Sequence, residues 1–423
     1  METFLQKVKI LFGDKTLRRR VLVVIGALVL FRLLAAIPIP GIDTVRLNQF
    51  LSQNEFLGVL NVFSGGGLSN LSIIMLGVGP YITGSIIMQL LTIMVPKLKS
   101  LYQEEGEIGR KKFAQYSRML TVPLAALQGF SLLVILERQG ILNNLDAIEK
   151  VANLVVIIAG SMLLMWIGEL VTEFGIGNGL SLIIFAGIVS QMPTEIGQIL
   201  FTFDVSQIPA YIAFIMVGIL VIFGVILVTE AERPIPVTYA RRATAGGTTG
   251  GVSTYLPIRI NQAGVMPIIF ALSILLFPQL IGNVLSASTN GTLKAISTTL
   301  LGFNQSSWLY LALYFLFVFI FTYFYTAITF DPKQMADNLQ KNGAFVPGVR
   351  PGSQTETYVG NIVARITLVG GLFLAIVAIL PLLMQKFTGI GQVAIGGTAL
   401  LIVVSVVIDL VKRIDSQLSM REY

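Results

Sequence analysis

Ionisable side chains within long apolar segments are where proton relays and ion-coupled transport are usually built. This sequence offers three: Arg32, Glu169 and Asp409. Each stands near an end or in the outer half of its segment, where a packed or interfacial role is the expectation. Histidine and cysteine are both absent. Imidazole bases and relays, thiol nucleophiles, disulfides and Cys-ligated clusters are therefore excluded. No paired carboxylates, zincin motif, Walker lysine or nucleophile elbow occurs, and nothing points to an enzyme, a metal or a cofactor.

The elements around these residues are apolar spans. Of 423 residues, 54% are hydrophobic and only 12% charged, about half the charge of an ordinary soluble chain. Mean hydropathy is +0.81. Segments near 21–37, 71–95, 118–136, 151–170, 180–194, 209–229, 263–282, 308–328, 362–383 and 393–411 read as ten membrane spans. The fifth is short and either extends through the glycines at 175–179 or lies tilted. Gly77, Gly79, Pro80 and Gly84 mark the second as broken or closely packed.

Lys and Arg number 29 against 22 acidic residues, a net +7; in a membrane chain their placement matters more than their sum. With the N-terminus inside, six precede the first span, six lie between spans two and three, and four between six and seven. Four more lie between eight and nine, and three follow the tenth. The opposite side holds five, Arg46, Arg138, Lys150, Lys294 and Lys386. That asymmetry places both termini in the cytosol. Residues 1–20 read as a basic amphipathic helix on the cytosolic surface, with Phe4, Leu5, Val8 and Leu11 toward anionic lipid.

Two cytosolic loops, 230–262 and 329–361, are long. Alternation of Ile235, Val237 and Tyr239 predicts a strand or hairpin in the first. The second predicts a short helix over 331–341, then a rigid basic tip at 345–352. Such loops are either solvated linkers or docking surfaces for a large soluble partner. Outside, Ile37-Pro38-Ile39-Pro40-Gly41 ends the first span, and Gly65-Gly66-Gly67 is too flexible to cross lipid. The segment at 61–70 is thus an ordinary external loop or a re-entrant cap. Dividing the chain as 1–205 and 206–423 gives two halves of five spans. An odd number forces opposite orientations if the halves are related, an inverted repeat of the transporter kind. A pore through such apolar spans would be a hydrophobic gate, closed to water and ions and tolerant of varied cargo. A small-solute secondary transporter is the alternative, and it would require polar or ionic residues at mid-membrane. An insertase without a pore is another.

The order of several motifs sharpens this. IPIPG at 37–41, NVFSGGG at 61–67, GPYITGSIIMQLL at 79–91 and GIGNGLSLIIFAGI at 175–188 are followed by YARR at 239–242 and NQAGVMPIIFA at 261–271. GAFVPGVRPG at 343–352 and GGTALLIVVSVVIDL at 396–410 complete the set. Over nearly its whole length the chain resembles the bacterial SecY family, the central subunit of the protein-conducting channel. The resemblance implies an all-α integral membrane protein of ten transmembrane helices in two pseudo-symmetric inverted halves around a pore. It implies a constriction of Val78, Ile82, Leu180, Ile184, Ile269 and Ile402. Val78 and Leu180 stand where isoleucine is common in relatives, and both keep an apolar seal.

The resemblance also implies an external plug of Asn61, Val62, Phe63, Ser64, Gly65, Gly66, Gly67, Leu68, Ser69, Asn70 and Leu71. A lateral gate would lie between spans two and three and spans seven and eight, with Gln89 and Asn261 as its polar residues. Arg241, Arg242 and Arg350 would dock the ribosome, through ribosomal RNA phosphate among other surfaces, or the motor ATPase SecA. The remaining partners implied are SecE, clamping the halves, SecG at the periphery, signal peptides, and nascent or secretory polypeptides. The implied location is the bacterial cytoplasmic (inner) membrane.

Overall fold

The computed structural model describes residues 14–39, 61, 64–103, 105–138, 140–142, 146–201, 208–239, 243–244, 247–248, 253–286, 290–302, 307–388 and 392–419. The N-terminal part of the expected amphipathic helix, residues 1–13, lies outside them.

Helix α1 spans Lys15–Ala35, its first turn capped by the Asp14 carboxylate, which accepts from Thr16 N at 2.7 Å. Then come α2 (Gly79–Met94), α3 (Pro96–Gln103), α4 (Gly106–Arg138), α5 (Ala147–Phe174), α6 (Gly179–Phe201) and α7 (Ile208–Glu230). Strands β1 (Glu232–Tyr239), β2 (Ala243–Thr244), β3 (Gly247–Thr248) and β4 (Ser253–Arg259) precede α8 (Met266–Ser286), α9 (Gly291–Leu301), α10 (Trp308–Thr329) and α11 (Pro332–Lys341). Strand β5 (Ala344–Phe345), α12 (Ser353–Thr388) and α13 (Gln392–Ser419) complete the order.

Among the described residues, α4, α5, α7, α10 and α12 are long and apolar enough to cross a membrane. The pair α2 and α3, bent by 116°, makes a sixth if it is one span. Helices also occupy the other expected positions. Those are α1, with Arg18, Arg19, Arg20 and Arg32; α6 and α8, with apolar stretches of 10–17 residues; and α13. The second span is shorter than the sequence suggested. Residues 64–78 form successive turns, and helix begins only at Gly79, where Gly77 has φ 59° and Pro80 sets the first turn. The glycines at 175–178 are likewise a turn and not an extension of α6.

One apolar core gathers side chains from α1, α2, α5, α6, α7, α8, α10, α12 and α13. A second binds α4 and α5 to the segment at 68–76, through Leu68, Leu71, Ala125, Leu132 and Ile157. Helix α7 turns much of its surface outward, with Ile215, Met216, Leu220 and Phe223 exposed, a face suited to hydrocarbon.

The β structure packs against the first turns of α12. β1 pairs antiparallel with β4, Ile235 opposite Leu256, as the alternation predicts. Its other edge takes β5 from the second long loop, Tyr239 opposite Ala344. Ile235, Ile258, Val346, Val359 and Val363 are buried beneath this sheet, so the two loops form one small folded unit. The expected short helix is α11, with Asp331 accepting from Lys333 N at 2.9 Å and Gln334 N at 3.2 Å.

Candidate functional site

The six residues expected at a constriction come from four helices. Val78 caps the start of α2 and Ile82 follows one turn later. Ile184 is on α6, Ile269 on α8 and Ile402 on α13. These five are buried and belong to one contiguous cluster. Leu180 packs at its edge, leaning on α5: a Cβ added to Gly168 would stand 2.9 Å from Leu180 Cδ2. The six side chains themselves are hydrocarbon and offer water no polar partner.

The segment at 64–68 is buried inside the bundle; Val62 and Phe63 lie outside the described residues. Its glycines permit backbone contact with α6 and α1. Gly65, at φ 65°, lies so close to α6 and to the Phe31 ring that a Cβ on Gly187 would overlap the Gly65 backbone and one on Gly65 would overlap the ring. A Cβ on Gly66 would meet Gln191 Nε2 at 3.1 Å. Asn61 organises the turn. Its Nδ2 donates to Gln191 Oε1 at 3.2 Å, and its Oδ1 accepts from Ser69 N at 3.0 Å. Ser64 Oγ accepts from Leu68 N at 3.1 Å, and Ser69 Oγ donates to Gly66 O at 2.7 Å. Asn70, exposed, donates to Ala35 O at 3.4 Å. Leu71 takes φ 42°, uncommon for leucine; its carbonyl accepts from Ile39 N at 2.9 Å, tying the segment to the end of the first span.

Gly187 and Gln191 were missed in the sequence, yet a signal was present. Positions 180, 184, 187 and 191 fall on one face of α6. At 1.5 Å per residue, Gly187 lies about 5 Å and Gln191 about 10 Å beyond Ile184 along the helix. The constriction residue and the contacts of the buried turn are thus stacked on one face.

Helix α8 packs against α2 and α4. Gln89 is on α2 and Asn261 precedes α8, and no hydrogen bond joins them. Gln89 Oε1 is buried without a hydrogen-bond partner. Asn261 Nδ2 donates to Gly264 O at 3.3 Å, while its Oδ1 is buried and unpartnered. Such an oxygen costs about 1–3 kcal/mol unless a donor arrives.

Of the ionisable residues in the spans, Glu169 accepts from Arg118 Nε at 2.6 Å, joining α5 to α4. Asp409 pairs with Arg413 one turn on at 2.8 Å. Arg350 is exposed at the tip of the second loop, where its carbonyl accepts from Thr355 Oγ1 at 2.9 Å. Arg241 and Arg242 lie outside the described residues. Among the described residues, no group of His, Cys, Asp and Glu could hold a metal ion.

A SecY family model matches residues 72–411. The protein translocase subunit SecY of Corynebacterium glutamicum is 40% identical, the match covering 97% of each chain. That of Thermotoga maritima is 40% identical over 99% of this chain and 96% of its own. That of Halalkalibacterium halodurans is 41% identical over 97% and 96%. A solved protein-conducting channel superimposes with TM-score 0.64 at 20% identity, covering 95% of this chain and 93% of the other. Sec61 of a canine ribosome–channel complex from the endoplasmic reticulum gives 0.59 at 20% identity over the same shares. These structures show the fold that the chain shares.

Proposed function

The chain belongs to the SecY family, and on that premise we propose that it is a protein-conducting channel of the bacterial cytoplasmic membrane. It passes unfolded secretory polypeptides across the bilayer and releases transmembrane segments sideways into it. The observation that carries this reading is the buried turn at 64–68, seated on the same face of α6 as Ile184. A stopper placed just outside an apolar constriction is what a pore for bulky, varied cargo requires when idle.

In this reading ten helices form two inverted halves, 1–205 and 206–423. Val78, Ile82, Leu180 and Ile184 come from the first half, Ile269 and Ile402 from the second, and opening separates them. The glycines at 65–67 let the plug leave without tearing a helix. Gln89 and Asn261 border the lateral gate, where their unpartnered oxygens can receive donors from an entering signal peptide. The β1–β4–β5 unit with α11 presents Arg350 to SecA or the ribosome, joined by Arg241 and Arg242. SecE holds the halves together and SecG lies at the periphery. Energy comes from SecA, translation or the proton-motive force, for the chain has no nucleotide-binding motif. A small-solute transporter would place polar or ionic groups at the constriction, and the six residues proposed there are Val, Ile and Leu.

The test is reconstitution. Vesicles holding this chain and SecE, supplied with SecA, ATP and a secretory precursor, should accumulate protease-protected precursor. Absence of protection, with SecA active on a known channel in parallel, refutes the proposal.

A further inference from the structure

We propose that Arg138 and Ser131 of α4 form a latch that holds the external end of the α4–α8 seam shut. The latch thereby sets how strongly a signal peptide must bind to open the seam. This rests on the reading of that seam as part of the lateral gate.

Two anchors cross from α4 to α8. The buried Ser131 Oγ donates to Leu280 O at 3.2 Å. Two turns on, Arg138 Nη2 donates to Ser286 O at 2.7 Å, and Nη1 donates to Ser286 Oγ. Ser131 and Arg138 are seven residues apart and Leu280 and Ser286 six, so the helices run parallel and nearly in register. Both helices end at this level, α4 at Arg138 and α8 at Ser286. Two parallel C-termini put two negative dipole ends side by side. The Arg138 guanidinium gives its donors to Ser286 at the α8 end, and separating the helices takes it away from there.

The neighbouring contacts show which bodies the latch joins. On its far side α8 is gripped by α9, where Ser297 Oγ donates to Gly282 O at 2.8 Å. On the near side Glu137, adjacent to Arg138, pairs with Lys150 of α5 at 2.7 Å. Glu137 therefore fastens α4 within the first half, whereas Arg138 fastens it to the second. Hydrogen bonds to a charged group exceed neutral ones in strength, so opening the seam must first release Arg138. An entering apolar helix that fills the seam can repay that release, and a weak signal cannot.

The chain has no cysteine, so a pair of introduced labels is unique. Phe130 and Ile281 flank the anchors and are exposed, at 47% and 45%. Spin labels on Phe130→Cys and Ile281→Cys would report the seam width in the full chain reconstituted with SecE. Arg138→Gln should shift the open-to-closed ratio roughly tenfold, the scale of one charged hydrogen bond. It should likewise raise translocation of a precursor whose signal core carries a single lysine, leaving an intact precursor nearly unchanged. Ser131→Ala should act in the same direction and less, and Arg138→Lys should restore part of the closed population. Glu137→Gln, which removes one charge at the same level, should leave the distance distribution as it was. An unchanged distribution in both Arg138→Gln and Ser131→Ala overturns the latch and leaves the gate reading standing. Widening with no change for either precursor overturns the latch's role and the gate reading with it.

Discussion

Hydrogen in place of a methyl group decides how deeply the turn at 64–68 sits. Gly187→Ala would drive a Cβ into the Gly65 backbone, which has no flexible end to yield. Overpacking of this kind costs about 1–3 kcal/mol, and about 1.4 kcal/mol is a factor of ten in an equilibrium. The seated plug should lose about fivefold or more in occupancy, read as increased ion conductance of the idle channel in planar bilayers. Gln191→Leu, which removes one acceptor from Asn61, should raise conductance less. Equal conductance in Gly187→Ala and the parent would sink the plug reading. At this scale the sequence was half legible. Its motifs pointed to Val78, Ile82, Ile184, Ile269 and Ile402, and these five share one buried cluster. It did not reveal that Leu180 leans on Gly168, since a helical pattern fixes a face and not the rotamer that fills a neighbour's glycine. Nor did it expose Gly187 and Gln191, whose roles exist only once a segment more than 100 residues earlier in the chain lies against them.

Elements were most legible where hydrophobic periodicity is long. Helices α4, α5, α10 and α12 stand where their apolar runs predict, each extending further at one or both ends because polar turns continue the same helix. Boundaries failed where glycine and proline compete with hydropathy, as at 71–78, which is apolar enough for a span and is nevertheless turned. The helix α9 was not anticipated, for it is short and only half apolar. The sheet shows the other limit: β1 and its pairing with β4 follow from alternation, but β5 arrives from a different loop, and no local pattern records that meeting. Its small core makes the sheet sensitive. Ile235→Ala should cost about 2–5 kcal/mol, a large loss for a cluster of five buried residues. Trypsin should then cut at Arg259 and Lys341 severalfold faster, and SecA-driven translocation should fall, with idle conductance unaltered. Cleavage at the parental rate would show that the sheet does not depend on that core.

Across the whole molecule, the scarcity of charge has two consequences that can be tested together with the orientation and the seal. Basic residues crowd one side, so α12 should begin in the cytosol and α9 should lie outside. Single cysteines at the exposed Ser353 and Thr292 should react oppositely with an impermeant maleimide: Thr292→Cys in intact cells, Ser353→Cys only after permeabilisation. The reverse pattern would invert the proposed topology. The seal demands more than apolar packing, because any buried bundle is apolar. If Ile82 from the first half and Ile402 from the second close one aperture, each contributes only while the other is in place. Ile82→Ser and Ile402→Ser would then be non-additive, with a coupling of about 0.5–3 kcal/mol in the conductance of the idle channel. If the two side chains merely fill separate parts of the core, their effects should add to within about 0.5 kcal/mol. Pairing Ile82→Ser with Ile376→Ser, a residue whose side chain is half exposed on the outer surface of α12, supplies the additive reference. Coupling confined to the Ile82–Ile402 pair would distinguish a ring shared by two halves from a core that happens to contain both.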